Sequence, residues 1–453
     1  MLRRSFLAAG ASTLAASSYA RVAGANERIG VGFIGYGLIG KRHVIDFKEQ
    51  PDADLVALAE THRGRLDEGA AAMGGSVRKY PDFRKLFDDK DVHAVIVSTP
   101  DHWHALQTML ACAAGTDVYV EKPLTLFVRE GRWMVDVAQK HKRVVQVGTQ
   151  QRSGKHYRRA RELIRQGHIG KVVSVRTEAI RNISPGFGNP PDSDPPPELD
   201  WDLWLGPAPK RRYNPNRGIY HFRWFWDYSG GQMTNWGVHT FDIVDWVLGL
   251  DKLRVVVSVG GRFQLKDNGE TPDLQDTIFE FDGWTATHTM RECSRGVQQP
   301  GFGLQFFGTK GSLGITRSRF LVTPDADVPP AALIPQFEQH PVGGPTIPPR
   351  AKELRFRTEA IEDKSGNDKA QFVDHVRNFL DCIKSRKQPI SDLESVHRAT
   401  AACHLANISL RLGRKLRWDA RNETIVGDTE AAGWLVRPYR EPWDKELKAL
   451  GLG

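Results

Sequence analysis

Two side chains in this sequence have the chemistry to move a proton on and off a hydroxyl group. Lys122 stands in the turn Glu121-Lys122-Pro123, directly after an apolar run. Burial beside other positive charges lowers the pKa of a lysine ammonium group. His239 carries an imidazole that titrates near neutral pH. We predict that Lys122 and His239 are catalytic, and that Glu121 and a cis bond to Pro123 fix the turn.

Three polar side chains share a predicted helix that begins after a pair of glycines. Asn235, His239 and Asp242 are spaced i, i+4 and i+7, which places them on one helix face. The amide of Asn235 can orient a hydroxyl group but cannot take its proton, so proton transfer would rest on the histidine and the lysine. Asn235 and Asp242 are therefore predicted members of the catalytic site. The alternative for His239 is a core histidine that is hydrogen-bonded to a neighbour.

A glycine-rich turn lies between an apolar strand pattern at 29–34 and a helical pattern from residue 41 to about 50. Its sequence is Gly35-Tyr36-Gly37-Leu38-Ile39-Gly40. In a Rossmann unit the first glycine of this pattern allows the tight turn and the second lets a pyrophosphate approach the backbone. The third lets the helix pack on the strand. The pattern predicts a dinucleotide-binding site.

A carboxylate twenty residues after Gly40 indicates which dinucleotide binds. Glu60 ends a second strand pattern at 55–59, where the fingerprint places an acid that binds the adenosine ribose. A carboxylate there would repel a 2′-phosphate, so the sequence favours NAD over NADP. Arg63 and Arg65 lie nearby and leave NADP open.

Alternating strand and helix patterns define the first domain. Helical segments separate apolar runs between residues 26 and 150, and the runs lie at 29–34, 55–59, 92–99, 117–120 and 144–148. Such alternation is typical of a doubly wound parallel sheet. It predicts an α/β Rossmann domain over residues 26–150.

The pattern changes over residues 151–453, which we predict to form an α+β domain on an open, mostly antiparallel sheet. The strand runs are longer and richer in β-branched residues, at 172–179, 255–263, 277–290 and 304–307, and helices follow at about 370–385 and 393–412. Two Pro-rich insertions interrupt this substrate-binding and oligomerisation domain, at about 185–215 and 324–350. We expect neither insertion to form regular structure.

Four motifs occur in the order found in the Gfo/Idh/MocA oxidoreductase family, which this sequence resembles from about residue 28 to its C-terminus. They are Gly35 to Gly40, Thr99-Pro100-x-x-x-His104, Glu121-Lys122-Pro123 and Gly237-x-His239-x-x-Asp242. The family usually has aspartate where this sequence has Asn235.

The resemblance implies a cofactor, a substrate class and an assembly. A nicotinamide cofactor would be bound by the glycine turn, and also by Thr99, Pro100, His104, Glu121 and Lys122. The substrate would be a sugar, glycoside or polyol whose secondary alcohol is oxidised by hydride transfer. Members of the family often pair through the open sheet, so we expect a homo-oligomer.

The first 25 residues are predicted to be a signal peptide. Arg3 and Arg4 precede Phe6-Leu7, a weakly apolar stretch covers residues 8–20, and small residues at 23–25 offer a cleavage point. This pattern is typical of twin-arginine export rather than of a membrane span, which needs about twenty strongly apolar residues. We predict that the twin-arginine machinery delivers the protein to the periplasm without a membrane anchor. Free nicotinamide cofactor is scarce there, so the cofactor would be retained tightly.

Composition and spacing argue against other classes of protein. The net charge is +9, but the basic residues are scattered among acids and no nucleic-acid module is present. Asp101-His102-Trp103-His104 lacks a third ligand, so no metal is predicted. The four cysteines show no C-x-x-C spacing and are predicted to be buried thiols.

Six of the twelve tryptophans fall between Trp201 and Trp246. Such a cluster suits the apolar faces of sugar rings and equally suits an aromatic core. Arg152 and Arg223 are candidate polar contacts.

Three functions stay open, and we favour the oxidoreductase. An NAD-dependent glycosidase would oxidise its substrate, cleave it by elimination and reduce it again with no net redox change. Asn235 and export favour that alternative. A non-catalytic sugar-binding protein is the third, and the presence of Lys122 and His239 argues against it.

Overall fold

The computed structural model describes residues 28–295, 303–327 and 355–452. The predicted signal peptide and most of the second Pro-rich insertion lie outside these residues. None of the helices within them is long and apolar enough to cross a lipid bilayer.

Apolar strands and helices alternate through the first domain. The strands are β1 (Ile29–Ile34), β2 (Ala53–Ala59), β3 (Arg78–Tyr80), β4 (Ala94–Val97), β5 (Asp117–Val120) and β6 (Val145–Val147), and the helices are α1 (Leu38–Lys48), α2 (Arg63–Met73), α3 (Asp101–Ala113) and α4 (Val128–Lys140). All pairs are parallel, in the order β3-β2-β1-β4-β5-β6. Every residue of β1 is buried, as a central parallel strand requires. The order is that of two mononucleotide-binding halves, which confirms the predicted α/β Rossmann domain.

The second domain is built on a ten-stranded sheet. Its strands are β7 (Val172–Ile180), β8 (Leu253–Gly261), β9 (Leu274–Phe281), β10 (Trp284–Arg291), β11 (Leu304–Gly308), β12 (Gly311–Ile315), β13 (Phe320–Pro324), β14 (Ile361–Asp363), β15 (Leu416–Asp419) and β16 (Thr424–Ile425). They lie in the order β14-β13-β12-β11-β7-β10-β9-β8-β15-β16, and β7 and β10 form the parallel pair in an otherwise antiparallel sheet. Burial alternates along β9, so one face is packed and the other open. The predicted open, mostly antiparallel sheet is confirmed.

Helices of the second half pack on both domains and hold them together. They are α5 (Lys155–Arg165), α6 (Trp201–Leu205), α7 (Gly231–Asn235), α8 (Gly237–Leu248), α9 (Asp368–Ser385), α10 (Leu393–Leu412), α11 (Thr429–Gly433) and α12 (Trp443–Ala449). Helices α8 and α10 cover the large sheet, whereas Phe379 of α9 packs against Tyr119 of the Rossmann sheet. Trp443 of α12 stacks on Phe83 of the first domain. The cleft between the domains is therefore fixed from two sides.

Two sequence expectations differ from the fold. The run at 277–290 is not one strand but parts of β9 and β10, because Asp282-Gly283 forms a hairpin turn in which the glycine has φ +86°. The first Pro-rich insertion contains the short helix α6, so our expectation of no regular structure was wrong there. Asp200 caps α6 by accepting a hydrogen bond from the Leu203 N–H, and Trp204 is buried.

Candidate active site

The three glycines of the first βα turn each meet a different steric demand. Gly35 has φ +92°, a backbone conformation that residues with a side chain rarely adopt. A Cβ on Gly40 would lie 2.5 Å from the carbonyl oxygen of Gly35, so α1 can approach the turn only without one. A Cβ on Gly37 would meet nothing within 4 Å, because this glycine faces open space. The turn thus leaves room for a ligand at Gly37, as a pyrophosphate site requires.

A cavity of about 310 Å³ opens at this turn. Eight of the predicted cofactor-binding residues line it, namely Gly35, Tyr36, Gly37, Leu38, Ile39, Glu60, Thr99 and Pro100. The second domain contributes Tyr220, Phe222 and Arg223 to the opposite wall. Gly40 and His104 lie behind the lining and support it. The residues present fit a dinucleotide.

Glu60 organises the turn as well as facing the cavity. Its Oε2 accepts a hydrogen bond from the Tyr36 N–H at 2.8 Å, and its Oε1 accepts one from the His62 N–H at 3.0 Å. The sequence fingerprint indicated only a ribose contact, so these two backbone bonds are additional. His62 and Arg65 line the cavity beside it.

Gly37→Ala tests whether this cavity binds the dinucleotide. We expect the variant to fold with an unchanged melting temperature, because the added methyl group meets no protein atom. Affinity for NAD(H) should fall roughly tenfold or more, since the methyl group stands where the pyrophosphate must approach. Calorimetric titration measures the affinity. Gly40→Ala is the contrasting variant and should lower the melting temperature; unchanged NAD(H) affinity in Gly37→Ala would contradict the assignment.

Glu121 anchors the turn that carries Lys122. The buried carboxylate accepts a hydrogen bond from Nε2 of His43 at 2.7 Å and another from the Lys122 N–H at 3.0 Å. Burial opposes ionisation, but the hydrogen bond and charge of His43 and the charge of Lys122 hold the pKa of Glu121 below its usual value. The Lys122–Pro123 bond is cis, as predicted. His43 lies 78 positions away in sequence, and no motif pointed to it.

His104 connects this turn to the end of β4. Its Nδ1 lies 2.7 Å from the Pro123 carbonyl oxygen and its Nε2 lies 2.8 Å from the Thr99 carbonyl oxygen. It is buried and positions two loops. Within the described residues, no group of three or more His, Cys, Asp or Glu side chains is arranged to bind a metal ion.

Lys122 and Asn235 form the centre of the site. The Lys122 Nζ donates to both the side-chain and the main-chain oxygen of Asn235, each at 3.0 Å. Burial lowers the pKa of Lys122 to about 8. Glu121 opposes this shift, whereas Arg223 and Arg317 add to it. A substantial fraction of Lys122 is therefore a neutral amine, able to accept a proton, slightly above neutral pH.

His239 lies close enough to Lys122 for their charges to interact. Burial lowers the pKa of His239 well below its ordinary value, and the charges of Lys122 and Arg317 lower it further. Nη2 of Arg317 lies 3.5 Å from Nε2 of His239. Nδ1 of His239 has no hydrogen-bond partner among the residues that the structure covers. All of these effects favour the neutral form of the His239 imidazole.

The predicted single helix face is wrong, because a break at Trp236 separates α7 from α8. Asn235 ends α7, whereas His239 and Asp242 lie on α8. The His239 N–H bonds to the Trp236 carbonyl oxygen, three positions back, and the helix-weakening Gly237 follows the break. Asn235 and His239 still approach Lys122 from the two sides of this break.

Asp242 is fully buried and bound to Arg152 instead of facing Lys122. The Arg152 Nε donates to its Oδ2 at 3.0 Å, and Nη2 lies 2.7 Å from Oδ1. Burial raises the pKa of Asp242 to about 6, although Arg152 opposes the shift. The structure therefore does not bring Asp242 together with the other predicted catalytic residues, and Arg152, a candidate polar contact, is its buried partner.

The tryptophan cluster contains both buried core residues and a ring that is exposed beside His239. Trp201 and Trp204 stack with ring centroids 4.6 Å apart and are buried in an aromatic core, as is Trp224. Trp236 is 44% exposed and lies beside His239, with ring centroids 6.2 Å apart. Trp236 was predicted only as a member of the tryptophan cluster, although it directly precedes the Gly237 motif, and no pattern in the sequence pointed to Arg317.

Both domains match known protein families. Residues 29–149 match the GFO_IDH_MocA "Oxidoreductase family, NAD-binding Rossmann fold", and residues 161–272 and 362–445 match the "Oxidoreductase family, C-terminal alpha/beta domain" of the same group. Together these regions cover more than half of the chain.

Individual relatives are distant. Myo-inositol 2-dehydrogenase of Thermotoga maritima is 24% identical over 62% of this chain and 74% of its own length. A glycosyl hydrolase family 109 protein of Shewanella sp. W3-18-1 is 29% identical over 34% of this chain and 35% of its own length. The solved structure of levoglucosan dehydrogenase with NADH and levoglucosan has a TM-score of 0.64 and 18% identity, over 86% of this chain and 99% of that one, which shows the shared fold. The chain belongs to the Gfo/Idh/MocA oxidoreductase family, with an NAD(P)-binding Rossmann domain at its N-terminal side.

Proposed function

We propose that this protein is an NAD-dependent oxidoreductase that oxidises a secondary alcohol of a sugar, glycoside or polyol. The observation that carries the proposal is the hydrogen bond of Lys122 to Asn235, with His239 close to Lys122. Arg223, which lines the dinucleotide cavity, interacts with the same amine. The family relationship and the named substrates of myo-inositol 2-dehydrogenase and levoglucosan dehydrogenase support it.

The residues divide the work as follows. The glycine turn and Glu60 would hold the cofactor, and a bound nicotinamide would supply the hydride acceptor for oxidation of the carbinol carbon. Neutral Lys122 takes the hydroxyl proton, and Asn235 holds both the amine and the hydroxyl in place without accepting a proton. His239, whose pKa burial lowers well below its usual value, favours the neutral form and can hold the hydroxyl group by a hydrogen bond.

The experiment is to purify the protein, identify any bound nucleotide and supply a panel of sugars and aryl glycosides. We expect NAD(H) to co-purify and 340 nm absorbance to rise with a sugar while no aglycone is released. Release of aglycone with no net change in cofactor would instead favour the redox-neutral glycosidase. That second candidate is favoured by Asn235 and by the partial match to the family 109 protein.

We also propose that the protein is exported by the twin-arginine route and works in the periplasm with a tightly retained cofactor. The support is the sequence of the first 25 residues, with Arg3 and Arg4 ahead of an Ala- and Ser-rich stretch.

Replacing Arg3 and Arg4 with lysine should leave the precursor in the cytoplasm, because the transport machinery reads the arginine pair. Cell fractionation followed by immunoblotting measures this. Arg21→Lys, in the same segment, is the matched control and should be exported normally. Periplasmic delivery of the double variant would contradict twin-arginine export.

A second copy of this chain is the proposed partner for the open sheet face. Val259 and Ile278 project from that face and are 63% and 51% exposed. Apolar surface of this kind usually marks an interface. Light scattering should give a multiple of the mass of one chain, whereas a monomer would exclude this pairing.

A further inference from the structure

Two arginines at the site have hydrogen-bond donors that the protein itself does not use. The Arg223 guanidinium stacks on the rings of Tyr220 and Phe222, and its Nη1 donates to the Tyr220 carbonyl oxygen at 3.0 Å. It forms no ion pair with a carboxylate of the described residues. Arg223 also lines the cavity. An arginine offers five N–H donors, so most of those of Arg223 are available to a ligand.

Arg317 projects from the turn between β12 and β13 towards His239. Beyond the contact with His239, its Nη1 lies 3.5 Å from Asp368, whose side chain is half-exposed, so that pair is long and solvated. Gln371 fixes the turn by donating to the Arg317 carbonyl oxygen at 2.9 Å, and a hydroxyl of Thr316 accepts from two N–H groups of the same turn. These bonds fix the backbone of the turn, and the guanidinium lies among His239, Asp368 and the ring of Trp236.

Trp236 provides an apolar surface beside the same guanidinium. The Arg317 guanidinium lies 5.7 Å from the centre of the indole, and the indole is 44% exposed. An exposed aromatic ring next to His239 suits the apolar face of a sugar ring. The arrangement therefore joins a stacking surface and a cation beside His239.

Charges of both signs surround Lys122. Arg223 and Arg317 lower its pKa, whereas Glu121 and Asp101 raise it, and the two acids interact with Arg223 as well. Arg317 has a weaker counter-ion, because Asp368 lies 3.5 Å away and is half-exposed. A carboxylate of the substrate would therefore give Arg317 a closer partner.

We propose, on the basis of the function proposed above, that the substrate is an acidic sugar whose carboxylate binds Arg317, with its ring against Trp236 and Arg223 on the opposite side. A carboxylate matches the planar fork of a guanidinium and can bind it through two hydrogen bonds. Arg317 is then the residue that sets specificity for the acid, whereas Lys122 and His239 act on the hydroxyl group.

The test compares matched sugars on the purified holoenzyme. Glucose, galactose and mannose, their uronates and their 6-sulfates are titrated by saturation-transfer NMR, and oxidation is followed at 340 nm. We expect the best uronate to bind at least tenfold tighter than its neutral partner at low ionic strength, and less so as salt is added. Arg317→Gln should abolish that preference, and Arg317→Lys should retain part of it. Arg319 lies on the same turn and pairs with Glu362 at 3.9 Å. Arg319→Gln therefore removes a nearby charge and should keep the preference for uronates.

The outcomes separate this inference from the proposed function. Equal affinity for uronates and neutral sugars, tight binding of sulfates alone, or a preference that survives Arg317→Gln with native stability would each overturn it. Uronate binding without any rise at 340 nm would support acid recognition and contradict the oxidoreductase. Oxidation of neutral sugars without a preference for acids would support the oxidoreductase and contradict acid recognition.

Discussion

Replacing Lys122 with methionine should lower turnover by roughly a hundredfold or more, as expected when a general base is lost. Methionine retains the length and apolar contacts of the side chain but cannot accept a proton or donate to Asn235. NAD(H) affinity should change little, because the glycine turn and Glu60 are untouched. Lys364→Met is the control, since that lysine is exposed and its ammonium group pairs with Glu362 of β14. Activity close to normal in Lys122→Met would remove this residue from the mechanism.

The pH profile gives the same prediction an independent readout. Only the neutral amine accepts a proton, and the pKa of Lys122 is about 8 in the folded protein. As pH rises, kcat/KM should therefore increase and level off above about 8. The Lys122→Met variant should lack this rise. A profile that is flat from pH 6 to 9 in the unaltered enzyme would contradict the assignment of Lys122 as the base.

Asp242→Leu should destabilise the fold by about 3–5 kcal/mol, because it leaves the Arg152 charge buried and without its main partner. Arg152 is 1% exposed and, unlike a lysine, cannot release its proton. Its other contacts are the uncharged Ile390 carbonyl oxygen and Ser395 hydroxyl, and the Asp392 carboxylate, which is more distant at 3.9 Å. Urea unfolding at pH 7 measures the change in free energy of unfolding.

A surface pair provides the control for this prediction. Asp381 pairs with Arg377 at 2.9 Å, but its side chain is 62% exposed. Asp381→Leu should therefore cost less than about 1 kcal/mol. If Asp242→Leu were equally mild while turnover collapsed, Asp242 would belong to the catalytic site, as the motif first suggested, and the structural assignment would be wrong.

Local patterns in the sequence predicted the parts of this protein that depend on local chemistry. The glycine turn was predicted because each glycine meets a steric demand set within a few residues, and the parallel sheet was predicted from alternating strands and helices. The Lys122 turn was recognisable from three adjacent residues. Asn235 and His239 were predicted to lie near it because their spacing fits one helix face. The structure has two helices separated at Trp236, but both side chains still lie near Lys122.

Contacts between distant segments could not be predicted in this way. Arg152 meets Asp242 across 90 positions, and Arg317 meets His239 across 78. Nothing near Asp242 indicates that it pairs with a buried arginine, because its i, i+3 spacing from His239 predicts only a shared helix face. Arg317 is one of many arginines in the chain, and only the packing of the second-domain sheet on its helices brings its hairpin turn to the site.

Transfer of deuterium to the cofactor tests whether the carbon-bound hydrogen of the sugar moves to the nicotinamide as hydride. Holoenzyme is incubated in ordinary water with a mixture of monosaccharides and uronic acids that carry deuterium on their carbon atoms. The nucleotide is then analysed by mass spectrometry. The account predicts NADH that carries one deuterium atom, with net accumulation of an oxidised sugar, and little of either with Lys122→Met. Consumption of sugar with no deuterium in the nucleotide would contradict it, because the carbon-bound hydrogen would not have moved to the cofactor.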